Sequence, residues 1–324
     1  MTRPPIERAS PWGPLAVADA HVHFFSHRFF ASLAAQKPGL TIEAAGEQLG
    51  WHLPPEKPEH LAGEWVSELD RQNVQTAALM ASMPGDESSV AAAMRAFPER
   101  FYAFAMVNPR GVPTEASARQ AWNPESFSAI HAACLFPAMH GYSVHDEPAQ
   151  AVFEWAAVHH RAVFVHCGVL SVGVRAKLGL PSLFDMRFSN PIDLHAVALR
   201  YPAVPILVPH FGAGYFREAL MLADLCPNVF LDTSSSNRWM RYEEPHHAEP
   251  RGSLRHIFRR ALDVIGPQRL LFGTDSSFFP RGWHQAIFEE QARALYEIGL
   301  SVADARAIFG ENLMRILGPS RNEM

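Results

Sequence analysis

Short apolar runs alternate with segments of helical period along most of this chain. Eight runs read as strands: 15–23 (LAVADAHVH), 76–82, 101–107, 130–137, 162–168 (AVFVHCG), 204–212 (VPILVPHFG), 228–234 (NVFLDTS) and 269–276 (RLLFGTDS). Several are apolar at nearly every position, as strands covered on both faces are. Between them, apolar residues return every three or four positions over 147–161, 215–226, 254–266, 284–299 and 301–318, the spacing of one helix face. Ser301 with Asp304 is an N-cap signal, and Gly318-Pro319 a stop. Eight such alternations in 324 residues predict one domain, 1–324, folded as a (β/α)8 TIM barrel with its core over about 15–318 and an extra C-terminal helix. An open doubly wound sheet is the competing arrangement, but no GxGxxG follows the first run.

Three long segments, 24–60, 167–190 and 234–251, follow strands one, five and seven. All would lie at the C-terminal face of the barrel, where such folds build their active sites. They are read as long lid or wall loops.

Composition narrows the function classes. The net charge of −5 gives no electrostatic case for nucleic acid or an anionic membrane. No apolar run reaches the roughly 18 residues of a membrane span. The start, MTRPPIERASPWGP, lacks the apolar core of a secretory signal. Three widely spaced cysteines (Cys134, Cys167, Cys226) without a CxxC argue against a disulfide framework, so a cytoplasmic setting is expected. Lysine occurs only at 37, 57 and 177, and arginine carries the rest of the positive charge.

The candidate chemistry lies at the strand ends. With 17 histidines in the chain, about one His-x-His is expected by chance, so His21-Val22-His23 means nothing by itself. On a strand, however, residues i and i+2 share a face, and two such imidazoles can reach one ion. Asp19 is expected on that same face. His166, His210 and Asp275 close the fifth, sixth and eighth runs, so four strand ends bring metal-ligating types to one mouth. Each alone is better read as a structural hydrogen-bonder; together they predict a metal site.

HxH on the first strand, FVHCG, VPHFGAGY, VFLDTSS, LLFGTDSSF and the closing IFGENLMRIL resemble the amidohydrolase superfamily, in its aminocarboxymuconate-semialdehyde decarboxylase-like (amidohydrolase-2) branch. The resemblance implies His21, His23, His166 and Asp275 as metal ligands. It implies His210 as general base or transition-state stabiliser beside water activated by the metal, with Asp275 sharing in proton transfer. Binuclear members carry a carbamylated lysine on strand four; AACLFPAMHGY has none, so one ion is expected, Zn²⁺ ahead of Mn²⁺ or Fe²⁺. The expected function is hydrolysis of a small carboxylated or cyclic molecule. The alternatives are a non-oxidative decarboxylase of an aromatic or muconate-like acid, and a non-catalytic metal- or ligand-binding barrel. A homodimer is implied by similarity alone.

Phe24, Arg187, Arg238, Trp239 and Arg281 are candidate substrate contacts, with Phe25, Phe278 and Trp283 as further wall residues. Asp232 is read either as positioning His210 or as a structural hydrogen-bonder. Cys167 is expected to point away from its neighbour His166.

Overall fold

The computed structural model describes residues 6–111, 122–170, 172–234, 238–243 and 253–318. Eight parallel strands follow one another around a ring: β1 (Ala18–Phe24), β2 (Thr76–Ala81), β3 (Phe101–Val107), β4 (Ala132–Leu135), β5 (Ala162–Val165), β6 (Ile206–Val208), β7 (Val229–Asp232) and β8 (Leu270–Leu271). Backbone bonds from Ala20 N to Phe272 O (2.8 Å), Asp275 N to His21 O (3.0 Å) and His23 N to Ser276 O (2.7 Å) tie the last strand to the first. This is the (β/α)8 TIM barrel expected from the alternation. Among the described residues, no helix is long and apolar enough to cross a membrane.

Side chains alternate between two cores. Ala78, Met80, Tyr102, Phe104, Cys134, Phe164 and Leu207 pack together inside the ring. Their sequence neighbours Leu79, Phe101, Ala103, Leu135, Val163 and Val208 pack outward against the helices. Helix Leu254–Ile265 shows why the helical spacing was readable: it buries Leu254, Ile257, Phe258, Ala261 and Ile265 on one face. The single helix expected over 301–318 is divided. A π-turn, Ala307–Glu311, separates Val302–Arg306 from Asn312–Leu317. There Gly310 packs so closely that an added Cβ would lie 2.4 Å from Ala16 O. Leu313 enters the inner core and Tyr102 Oη donates to Gly318 O (3.1 Å), so this tail plugs the N-terminal end of the barrel. The segment 24–60, read as loop, instead forms helices His27–Ala35 and Ile42–Leu49, and a third, Pro58–Arg71, begins within it.

One buried base makes the fold acid-sensitive. His131 Nδ1 accepts the Ala103 N–H at 3.2 Å, which requires a neutral ring, and burial together with the charge of Arg161 pushes its pKa down to about 4. The unfolded chain, at about 6.5, takes up the proton first as pH falls. Stability is therefore unaffected above about pH 6.5 and declines between there and about pH 4, by about 2 kcal/mol at pH 5. His140, lowered to about 4 by burial, adds a loss of the same sign. Urea titrations at pH 7.5 and 5 should show a smaller drop for His131→Gln than for the parent. Equal drops would remove His131 as the cause.

Candidate metal centre

The site begins with an irregularity in β1. Its register on β2 pairs Asp19 with Ala77 but Val22 with Leu79, so β1 carries one extra residue between them. This bulge switches which positions face inward. Ala18 and Ala20 belong to the inner core before it, and Val22 and Phe24 to the outer core after it. His21, His23 and Phe25 thereby face the cavity. The expectation that Asp19 shares their face is corrected. Asp19 is fully buried on the other side, where it accepts bonds from His21 N (2.9 Å), Thr274 N (3.1 Å), Thr274 Oγ1 (2.5 Å) and Trp283 Nε1 (2.7 Å). Burial pushes its pKa up to about 6 despite these donors.

Three of the four expected ligands converge. The ligand atoms of His21, His23 and Asp275 lie within 4.8 Å of one another. Asp275 Oδ1 is 3.1 Å from His23 Nε2 and 3.9 Å from His21 Nε2. His166 follows β5 on its inner face and stacks on Phe136 (centroids 5.3 Å). It stands outside that trio, next to His210 at 5.4 Å.

Acceptors behind the rings set the tautomers. His21 Nδ1 lies 2.7 Å from Asp232 Oδ2, a buried acceptor at the end of β7. His23 Nδ1 lies 2.6 Å from Ser82 Oγ, whose own hydrogen goes to Met80 O (3.1 Å). His210 Nδ1 lies 2.9 Å from the carbonyl of Ser234, which can only accept. Each Nδ1 therefore has an acceptor for its proton, so each ring can present the Nε2 lone pair to the cavity, the arrangement in which a histidine ligates a metal or takes a proton. Ser234 Oγ links His21 and His210 through their Nδ1 atoms (2.9 and 3.0 Å).

Electrostatics agree with a cation at the centre. Burial works against a charged Asp275, yet the His23 hydrogen bond and neighbouring histidines hold its carboxyl well below the usual carboxylate range. Burial works against a charged His21, yet Asp232 draws its pKa above the ordinary value. Both shifts favour positive charge between these residues, which a divalent ion would supply. Burial pushes the pKa values of His166 and His210 down and so favours their neutral rings.

His210 reaches the cavity by an unusual route. Leu207 faces inward on β6, so strict alternation would turn His210 outward. Five consecutive residues, His210 to Gly214, instead have positive φ (56°, 52°, 82°, 45°, 102°). The turn brings His210 4.9 Å from His21, ring to ring, and sends Phe211 into the outer core. Non-glycine residues held there carry strain, which clusters at functional sites. Asp275 is also left-handed, at φ 58°.

The centre forms the floor of a cavity of about 550 Å³. Arg238 and Trp239 line it as expected. Phe24 does not: the bulge buries it in the outer core, and Phe25 takes the wall position, stacked on His23 (5.3 Å) and Phe29 (4.3 Å). Arg187 is 82% exposed and forks onto Asp185, two residues away in sequence and off the cavity. Arg281 also stays outside. It covers the Phe278 ring at 4.5 Å and donates to Ser277 Oγ (2.9 Å) and the Asp275 carbonyl (3.3 Å), so it acts on Asp275 through the backbone. Phe278 stacks on Trp51 (4.2 Å), and Trp283 is core. Cys167 points away from His166 into the outer core. Ser82, Ser234, Trp51 and Lys177 were not anticipated. A polar residue ending the apolar run VFLD was the signal for Asp232; nothing local marks the others.

The sequence profile of a family described as Amidohydrolase matches residues 18–318. A 92-residue stretch is 35% identical to protein fluG of Emericella nidulans, covering 28% of this chain and 10% of that much longer protein. The fold matches an amidohydrolase from Burkholderia multivorans with bound zinc (TM-score 0.57, 17% identity, 93% of this chain and 99% of that one). It also matches a dihydroxybenzoic acid decarboxylase from Polaromonas sp. JS666 with bound manganese and an inhibitor (0.58, 16%, 95% and 98%). At these identities the two structures speak to the fold.

Proposed function

The chain belongs to the amidohydrolase family, and from that premise we propose that it is a metal-dependent hydrolase of a small cyclic or carboxylated molecule. The observation carrying this reading is a neutral His210, its Nε2 lone pair free, beside the convergent trio His21, His23 and Asp275. Two imidazole nitrogens and a carboxylate fit one catalytic divalent ion of the zinc type, with His166 as the fourth candidate ligand. When bound, such an ion lowers the pKa of water from 15.7 to about 7 and polarises a carbonyl. The chain's own contribution is positional. Asp232 and Ser82 hold His21 and His23 with Nε2 inward, and Asp275 offsets positive charge. His210 Nε2 takes a proton from the attacking water and returns it to the leaving group. Phe25, Phe29 and Trp51 cover one side of the floor and limit bulk water.

A non-oxidative decarboxylase is the second reading, favoured by the manganese-containing structural relative named for that activity. His210, protonated at Nε2 by solvent, would then deliver that proton to carbon as CO₂ leaves. Metal analysis and product analysis in ¹⁸O-water, over a panel of lactones, aromatic acids and muconate-like acids, separate the two. The expected result is one Zn²⁺ per chain and ¹⁸O in the product. Net CO₂ release without ¹⁸O would replace the first reading by the second, and two tightly bound ions would overturn the single-ion site.

A further inference from the structure

The cavity has a charge balance opposite to that of the chain. The whole sequence carries five more acidic than basic residues. Among the described residues lining the cavity, Lys177, Arg238 and Arg241 are cations and Asp275 is the one carboxylate. None of the three cations forms an ion pair among the described residues; Arg241 donates only to the hydroxyl of Tyr242 (2.6 Å). All three are exposed, whereas His21 and His166 are buried and His23 and Asp275 half-buried, so the cations lie toward the mouth and the candidate metal centre toward the floor. The wall between is flat and aromatic: Phe25 lies within 9° of parallel with both Phe29 and Trp51.

We infer that the substrate is a flat, largely apolar molecule with two separate anchors. Its reacting group lies on the floor, and a carboxylate at its other end is held by Arg238 and Arg241 with Lys177. The inference rests on reading the floor as the reaction centre. Guanidinium forks suit planar carboxylates, and the aromatic wall suits a ring. At the floor a free carboxylate would face Asp275, so the charge that Arg238 and Arg241 attract belongs to a different part of the molecule from the bond that breaks.

Calorimetric titration with 4-carbamoylbenzoate and with terephthalamide tests this, because the pair differs only in one charged group and each leaves an uncharged carbamoyl group for the floor. The purified protein should bind 4-carbamoylbenzoate about tenfold tighter. The preference should persist after metal removal with 1,10-phenanthroline and disappear in the Arg238→Gln/Arg241→Gln double variant. Equal affinities, a preference unchanged in the double variant, or one lost on metal removal would overturn the mouth assignment. The metal-free arm keeps this failure apart from that of the proposed function: a protein that holds no metal and turns nothing over still reports the anion preference.

Discussion

Replacing His210 by asparagine should lower turnover by about 10²–10⁴-fold while leaving metal content unchanged. Asparagine is the informative substitution because position 210 sits at φ 56°, a conformation it tolerates better than alanine or glutamine does. Its amide N–H can still reach the Ser234 carbonyl that His210 Nδ1 now occupies at 2.9 Å, so the loop keeps its anchor. What is lost is a nitrogen able to accept a proton, which Nε2 supplies in the neutral ring. Turnover and metal per chain, measured on the same preparation, read the outcome. Metal lost together with activity would make His210 a ligand. Unchanged turnover would move the proton acceptor elsewhere, to Asp275 first. His23→Ala provides the contrast, since it removes Nε2 from the trio and should lose metal and activity together.

The barrel was legible because its signal is repeated: eight apolar runs, each covered on both faces, separated by one-sided helices. A local error in one repeat does not change the count. The candidate site was legible in residue type but less so in geometry, because each of its key positions departs from regular alternation. The bulge in β1 sends Asp19 to one side and His21 to the other, and exchanges Phe24 for Phe25 on the wall. At β6 five left-handed residues reverse the side His210 would occupy. Periodicity is a statement about regular strands, so it fails where the backbone leaves that regime. Trp51 and Lys177 were not visible for another reason. They reach the cavity through the packing of segments 24–60 and 167–190, whose helices settle against each other through Phe29, Phe30, Leu33, Val174 and Leu178. Such a small satellite core leaves little trace in local spacing.

The left-handed turn after β6 also makes one strongly damaging substitution predictable, Gly168→Ala on the neighbouring loop. Gly168 follows His166 and Cys167, at φ 76°. Its amide donates to Ser189 O (2.8 Å), and the next amide, of Val169, donates to Ala213 O (2.8 Å), so the two loops are joined here by backbone. A Cβ at 168 would lie 2.1 Å from Gly212 O and 2.5 Å from Ala213 O. Neither obstacle is a side chain that can rotate away; both belong to the strained run that carries His210. The left-handed backbone costs alanine about 1–2 kcal/mol, and an overlap relieved only by backbone movement adds about 1–3 kcal/mol. Gly141→Ala is the control, because Gly141 has a similar φ of 69° but nothing within 4 Å of an added Cβ. Urea unfolding should therefore place Gly141→Ala about 1 kcal/mol below the parent and Gly168→Ala about 2–5 kcal/mol below it. Because the movement separates the His166 and His210 loops, turnover of the folded fraction should fall in Gly168→Ala and hold in Gly141→Ala. Equal stabilities for the two variants would show that the loops can part without cost, and that the turn presenting His210 is not braced by the loop after β5.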